Sequence, residues 1–346
     1  MRCSNLAGFQ ELEAIVRWYL ATAYGRCEGP GCLPFFADVR RVGSFAVDLE
    51  QLRAREEEAL FKLLVVLGFY QSRRDVDMMD RQRSIRSRAA MAMTSPKRLR
   101  VLVEESPCRH LVDPETFDRS CNVRRDFVRD RSTCDHHPRA RCHVKDATMA
   151  IRRMSDMGKL PTSAWLHIGA LGLGDWVREA CANTPSPRER ATWMVERITR
   201  IHRIGRKLAA LYVSALCAEE LTPGFAPWSP ELDGSHLFVI DTNVSQVVAG
   251  LRRSREPQTY RTSSRWLAAA ATAIDLSSLR DGLPRSSPRL VQQAAYVFKS
   301  KSNRIAMGDA CATRPCQSCP SRLCPFAGQV QLGDRRVRQA LAIRGA

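Results

Sequence analysis

The 346-residue chain predicts a mainly α fold, and three observations carry the prediction. Apolar residues recur at helical spacing over 9–25, 49–70 and 198–216, the signature of helices that each bury one face. Alternation of the β type is confined to a few residues at 237–240. A chain of this length buries a sizeable core and suggests about two domains.

In chain order, the first helical pattern, 9–25, is broken by Cys27-Glu-Gly-Pro-Gly-Cys32. Cys3, Cys27 and Cys32 read as reduced thiols around a loop rather than as a metal site. A helix is predicted from Leu49 to Tyr70, and its 60–67 section is apolar almost all round, which marks a helix buried in the core. Residues 71–100 hold nine basic side chains against Asp75, Asp77 and Asp80, with no aromatic residue. A stacking platform for single strands is therefore not indicated; a solvated helix face and a phosphate contact both remain. Turns are expected at 160–163 and 184–187. Leu171-Gly-Leu-Gly174 lacks the ending of a phosphate-binding loop and the strand that should precede a dinucleotide loop, so it reads as a helix junction.

Between these elements, 106–147 has a different texture. Cys108, Cys121, Cys134, His136, His137, Cys142 and His143 fall here, with eight Arg and Lys from Arg119 to Lys145. A zinc ion held by Cys121, Cys134, Cys142 and His143 is one reading, although the spacing fits no standard zinc pattern. The other is a polar, basic insertion that touches DNA or shapes a pocket.

The charge is +18, from 54 Lys and Arg against 36 Asp and Glu, which points to a polyanionic partner, nucleic acid first. Thirteen cysteines in a chain this long, odd in number and with no apolar leader at the start, suit a reducing, intracellular setting, cytoplasmic and nucleoid-associated. The longest apolar run, 60–70, carries Lys62 and is too short to span a bilayer, so no membrane partner is expected.

Four further cysteines, Cys311-Ala-Thr-Arg-Pro-Cys316-Gln-Ser-Cys319-Pro-Ser-Arg-Leu-Cys324, follow the pattern C-x4-C-x2-C-x4-C within fourteen residues. Thiolates this crowded suit a tetrahedral sulfur site rather than two relaxed disulfides. Zinc and a [4Fe-4S] cluster both accept four cysteines. One C-x2-C flanked by two longer arms leans towards iron and sulfur, since zinc ribbons usually carry two such knuckles.

Two upstream segments complete the pattern. Gly205-Arg206-Lys207 stands where a turn enters a helix whose apolar face is Ile204, Leu208, Leu211, Tyr212, Ala215 and Leu216. A helix start of this kind offers backbone N–H groups to a phosphate. In Val239-Ile-Asp241-Thr242-Asn243-Val244, an apolar stretch ends in an aspartate that opens an amphipathic helix.

In that order, hairpin, aspartate and cysteine loop resemble the helix-hairpin-helix DNA glycosylases, in particular the endonuclease III branch with a C-terminal [4Fe-4S] cluster. Gly205-Arg206-Lys207 is similar to the family's G-R-K with its nucleophilic lysine. Asp241 matches the catalytic aspartate of V-D-T-H, and Cys311, Cys316, Cys319 and Cys324 match the cluster ligands. More loosely, the stretch from Leu63 to Gln71 resembles the early helix whose glutamine probes the base stack. The hairpin departs from the usual L-P-G-V-G: Ile201-His-Arg-Ile-Gly205 puts Arg203 where the first glycine belongs. Because a Cβ is costly at positive φ, a reshaped hairpin is expected. The spacer from Lys207 to Asp241 is longer than usual and the cluster loop shorter, which suggests an unusual substrate.

The resemblance implies a six-helix barrel domain, 56–240, with the hairpin at about 198–216 and the Cys/His insertion at about 106–147. It implies an iron–sulfur domain from 1–55 plus 241–346, with a DNA groove between the two, in a monomer acting on double-stranded DNA. The implied reaction flips a base out of the duplex and excises it. Lys207, as the free amine, would attack C1′, with Arg200, Arg203 and Arg206 nearby favouring that form. Asp241 would accept a proton or hold the cationic sugar. Gln71, Arg203, Gly205, Arg206 and Arg314 would contact DNA, and His136, His137, His143, Trp165 and Tyr212 are candidates to line a base pocket. If Lys207 only contacts phosphate, within a basic stripe of Arg197, Arg200, Arg203 and Arg206, Asp241 would activate water and lyase activity would be absent. Asp241 could equally be a plain helix cap. The alternative function is a non-catalytic iron–sulfur or zinc DNA-binding protein.

Overall fold

Helices make up the regular structure of this computed structural model, and no β-strand occurs among the described residues: 8–24, 34–71, 74–123, 133–134, 136–151, 156–221, 224–254, 258–306 and 320–326. The mainly α class is observed. Among the described residues no helix is long and apolar enough to cross a membrane.

The chain divides into two compact units, Met1–Gly29 with Phe238–Ala346, and Pro30–Leu237. The first unit opens with α1 (Phe9–Thr22). The second contains α2 (Val39–Val42), α3 (Leu49–Arg53), α4 (Glu57–Gly68), α5 (Asp75–Arg83), α6 (Ser87–Thr94) and α7 (Pro96–Glu104). It continues through α8 (Pro114–Ser120), α9 (His143–Ile151), α10 (Leu160–Ile168), α11 (Leu173–Asn183), α12 (Pro187–Ile198) and α13 (Arg206–Cys217). The chain then returns to the first unit with α14 (Thr242–Leu251), α15 (Tyr260–Ala271), α16 (Pro288–Lys299) and α17 (Lys301–Ala306). Residues 30–55 group with the Pro30–Leu237 unit, whereas the expected boundary lies at 56. The reason is packing: Val42, Phe45 and Leu52 are buried, with α2 against α5 and α3 against α4.

Helix starts are written locally. Ser95-Pro96, Asp113-Pro114, Ser186-Pro187 and Ser287-Pro288 each place an oxygen that accepts a first-turn N–H, followed by a proline that needs no partner there. Helix α4 is the core helix its composition predicts, with Leu60, Phe61 and all of Leu63 to Leu67 buried. It packs on α10, α11 and α13, and the Tyr212 hydroxyl donates to Leu60 O at 3.1 Å.

Three expectations change. The helix expected over 49–70 breaks at Arg55, which takes a left-handed φ of 60° and pairs with Glu231 at 2.8 Å. Residues 160–163 form the first turn of α10 rather than a loop, a place where Pro161 is tolerated. At 237–240 the alternating residues find no strand, and the Val239 N–H donates instead to Gln292 Oε1 at 3.0 Å. Over 74–100, three of the basic side chains pair with a neighbouring carboxylate, Arg74–Asp77 at 2.8 Å, Arg83–Asp80 at 2.7 Å and Arg100–Glu104 at 2.8 Å.

The 171–174 segment is a helix junction, and its geometry is exacting. Gly172 has φ 91°, and a Cβ there would lie 2.7 Å from Glu57 Oε2. That oxygen accepts the Leu173 N–H at 2.8 Å, at the start of α11. Burial pushes the Glu57 carboxyl up to about 7, against the pull of the Leu173 and Gly174 N–H groups. A carboxyl whose folded pKa lies above its unfolded value binds its proton more tightly when folded. Its contribution is therefore full below about 4.5 and lost as pH rises to about 7. Glu57→Gln is expected to leave stability near pH 4.5 unchanged and to raise it at about pH 8 by roughly 1–3 kcal/mol, as read from urea unfolding midpoints.

Candidate functional site

Helices α12 and α13 are joined by the turn 199–205. Ile201 and Ile204 are buried and fasten the turn to the core, with the Ile204 N–H donating to Ile201 O at 2.9 Å. Ser163 Oγ accepts the His202 N–H at 2.9 Å. Arg203 occupies the left-handed region at φ 65°, so the turn keeps the conformation a glycine would adopt, at a cost of roughly 1–2 kcal/mol. Its guanidinium grips Asp156 with bonds of 2.8 and 3.1 Å. Burial raises the Asp156 carboxyl, yet the hydrogen bonds and charge of Arg203 hold it below the ordinary value.

Gly205 is extended, with φ −85° and ψ 174°, and a Cβ there would meet nothing within 4 Å. Neither backbone strain nor packing demands glycine. Its bareness leaves open space at the start of α13, where the N-cap residue itself supplies no side-chain cap. Lys207, in that first turn, is half-buried, and its Nζ donates to Tyr70 O over 3.4 Å, a long and weak bond. Next to Tyr70, Gln71 anchors its Nε2 on Gly68 O at 2.6 Å.

An open cavity of about 440 Å³ is lined by Gln71, Thr199, Ile201, Arg203, Ile204, Gly205, Lys207 and Leu208. Four sequence candidates from two distant stretches thus meet at one opening. Arg206 is exposed at the start of α13 but does not line it. Nor do His136, His137, His143, Trp165 or Tyr212. Tyr212 is fully buried, its ring edge-on to Trp228 at 5.8 Å. The proposed stripe of arginines is not one phosphate face either: Arg197 lies over the rings of Trp176 and Trp193 at 4.6 and 4.9 Å and pairs with Glu179.

In the other unit Asp241 is the N-cap of α14, its Oδ1 accepting the Val244 N–H at 2.8 Å. The helix buries Val244, Val247, Val248 and Leu251, as the amphipathic pattern predicts. Of the four cysteines of the C-terminal loop, Cys311, Cys316 and Cys319 lie outside the described residues, as do Arg314, Cys3, Cys27 and Cys32. Cys324 is buried. Arg304, also buried, brings Nη1 to 3.5 Å from the Cys324 sulfur, with its guanidinium over the rings of Trp18, Phe298 and Phe326 at 4.7, 5.2 and 5.0 Å. A cation buried against a sulfur suits an anionic sulfur centre, so the donor chemistry here fits an iron–sulfur or zinc group.

Comparison with protein-family models, with curated proteins and with solved structures finds no match.

The Cys/His insertion encloses a second, smaller cavity of about 30 Å³, whose lining includes Cys121, Cys134, Cys142 and His143, and also Cys108. His143 Nε2 is engaged with Thr162 Oγ1 at 3.1 Å, and burial pushes its pKa down to about 4. The described cysteines are free thiols, and among the described residues no three His, Cys, Asp or Glu side chains already stand close enough to hold a metal ion.

Sequence reasoning missed Asp156 as the holder of Arg203, Tyr70 O as the acceptor for Lys207, and Arg304 beside Cys324. No local signal marks any of them, since each partner is remote in sequence.

Proposed function

We propose that the chain is a DNA glycosylase that flips a damaged or modified base out of double-stranded DNA and excises it, with Lys207 as nucleophile and Asp241 as its acidic partner. The convergence of Gln71, Arg203, Gly205 and Lys207 on one open cavity carries this reading. On it, the Pro30–Leu237 unit is the barrel domain bearing the hairpin, and the other unit is the iron–sulfur domain. The start of α13, opened by Gly205, grips a phosphate of the flipped strand. Gln71 enters the stack where the base has left. Lys207 Nζ attacks C1′, the bond from C1′ to the base breaks, and the base departs with the electron pair. Opening of the sugar ring then gives a Schiff base from which β-elimination cleaves the strand. Cys311, Cys316, Cys319 and Cys324 would hold a [4Fe-4S] cluster whose contribution is structural.

The test is borohydride trapping on duplexes that carry an abasic site or one of a panel of altered bases. The wild-type chain is expected to form a covalent adduct, and Lys207→Ala to form none. Alkali-labile sites without an adduct, abolished by Asp241→Asn, would make the enzyme monofunctional. Tight DNA binding with neither signal would overturn catalysis in favour of the non-catalytic DNA-binding reading.

A further inference from the structure

We infer that the Cys/His insertion is built around a single zinc ion held by four sulfurs, those of Cys108, Cys121, Cys134 and Cys142, with His143 outside the ligand set. All four cysteines line one cavity of about 30 Å³, a space for one ion stripped of its water. Such an arrangement is unfavourable as four thiolates and favourable around a soft divalent cation. The sulfurs do not yet stand at bonding distance, so the site contracts as the ion enters.

The surroundings already fit a tetrathiolate. The His110 N–H points at the Cys108 sulfur, two residues back, and the Val144 and Lys145 N–H groups point at Cys142 from the start of α9. Backbone donors of this kind stabilise sulfur in its anionic form. Cys134 is carried on a tight turn, where the His137 N–H returns to Cys134 O at 3.1 Å. A zinc ion with four thiolates carries two net negative charges, and two lysines are buried beside it. Lys145 lines the cavity and donates to Thr133 O, while Lys159, which interacts with Cys121, donates to Asp118 O at 2.7 Å. Both are almost fully buried.

Among the described residues the local core is small. Its buried members are Phe117, Val123 and Val144, flanked by the partly buried Leu111, Cys121, Cys142 and Leu166. Metal coordination would add to the hold that this cluster, and the packing of α8 on α10 and of α9 on α6, give the insertion. His143 is already engaged by Thr162, whereas Cys108 completes an all-sulfur set.

Metal analysis of the purified full chain is expected to find about one zinc per molecule, distinct from any iron. Cys108→Ser should lose that zinc while His143→Ala keeps it. In cobalt-substituted protein, the sulfur-to-metal charge-transfer absorption should weaken with Cys108→Ser and persist with His143→Ala. Because Cys108→Ser could unfold the insertion, thermal melts of the wild-type chain with and without a strong chelator give an independent reading, and zinc should raise the melting temperature. A wild-type chain that carries no zinc, with four thiols that react equally fast whether or not zinc is added, would overturn the proposal. Loss of zinc in His143→Ala with retention in Cys108→Ser would do the same.

Discussion

Asp241→Asn is expected to slow single-turnover base release by about 10²- to 10⁴-fold while leaving the melting temperature unchanged. The residue performs a visible structural task, since its Oδ1 accepts the Val244 N–H at 2.8 Å and caps α14. Asparagine caps a helix as well as aspartate does, but it carries no charge and accepts no proton. The substitution therefore separates the two roles. Asp241→Ala removes both, so it should lose activity and also about 1 kcal/mol of stability. An Asn variant with wild-type turnover would reduce Asp241 to its capping role and remove the acid from the proposed mechanism.

On the proposed reading, Cys316→Ser should abolish the brown colour that a [4Fe-4S] cluster would give, unfold the Met1–Gly29 and Phe238–Ala346 unit and with it remove the DNA affinity proposed for the chain. Metal binding and folding are one equilibrium where ligands come from a segment with little apolar surface of its own, and the stretch from Cys311 to Cys324 has no apolar run. The electrostatics reinforce this, because the Arg304 cation is buried among Trp18, Phe298 and Phe326 with Nη1 at 3.5 Å from the Cys324 sulfur. On the proposed reading, removing the cluster takes away a countercharge to the buried Arg304, whose Nη1 also donates to Phe298 O at 3.1 Å, and that loss is destabilising. Loss of circular dichroism at helical wavelengths, together with loss of iron, is the expected result. A cluster-free variant with full helicity and DNA affinity would show that the four cysteines are dispensable to the fold. A colourless wild-type protein with zinc in their place would identify a zinc–sulfur site.

What the sequence determined by itself is local. The mainly α class, the core character of α4, the serine–proline and aspartate–proline starts and the Asp241 cap all rest on contacts within one or two helical turns. So does the placement of Lys207 in the first turn of α13, because periodicity and capping are set by neighbours along the chain. Only the tertiary structure decided that Gln71 and Lys207 share a cavity, that Arg203 holds its left-handed turn against Asp156, and that Arg197 lies over the rings of two tryptophans and pairs with Glu179. The same is true of the break at Arg55, fixed by Glu231, and of the placement of residues 30–55 with the Pro30–Leu237 unit. The cysteines show the division most clearly. Their number and spacing suggest sulfur chemistry, but that Cys108 shares a cavity with Cys121, Cys134 and Cys142 is set by tertiary packing, and no period in a sequence encodes that convergence.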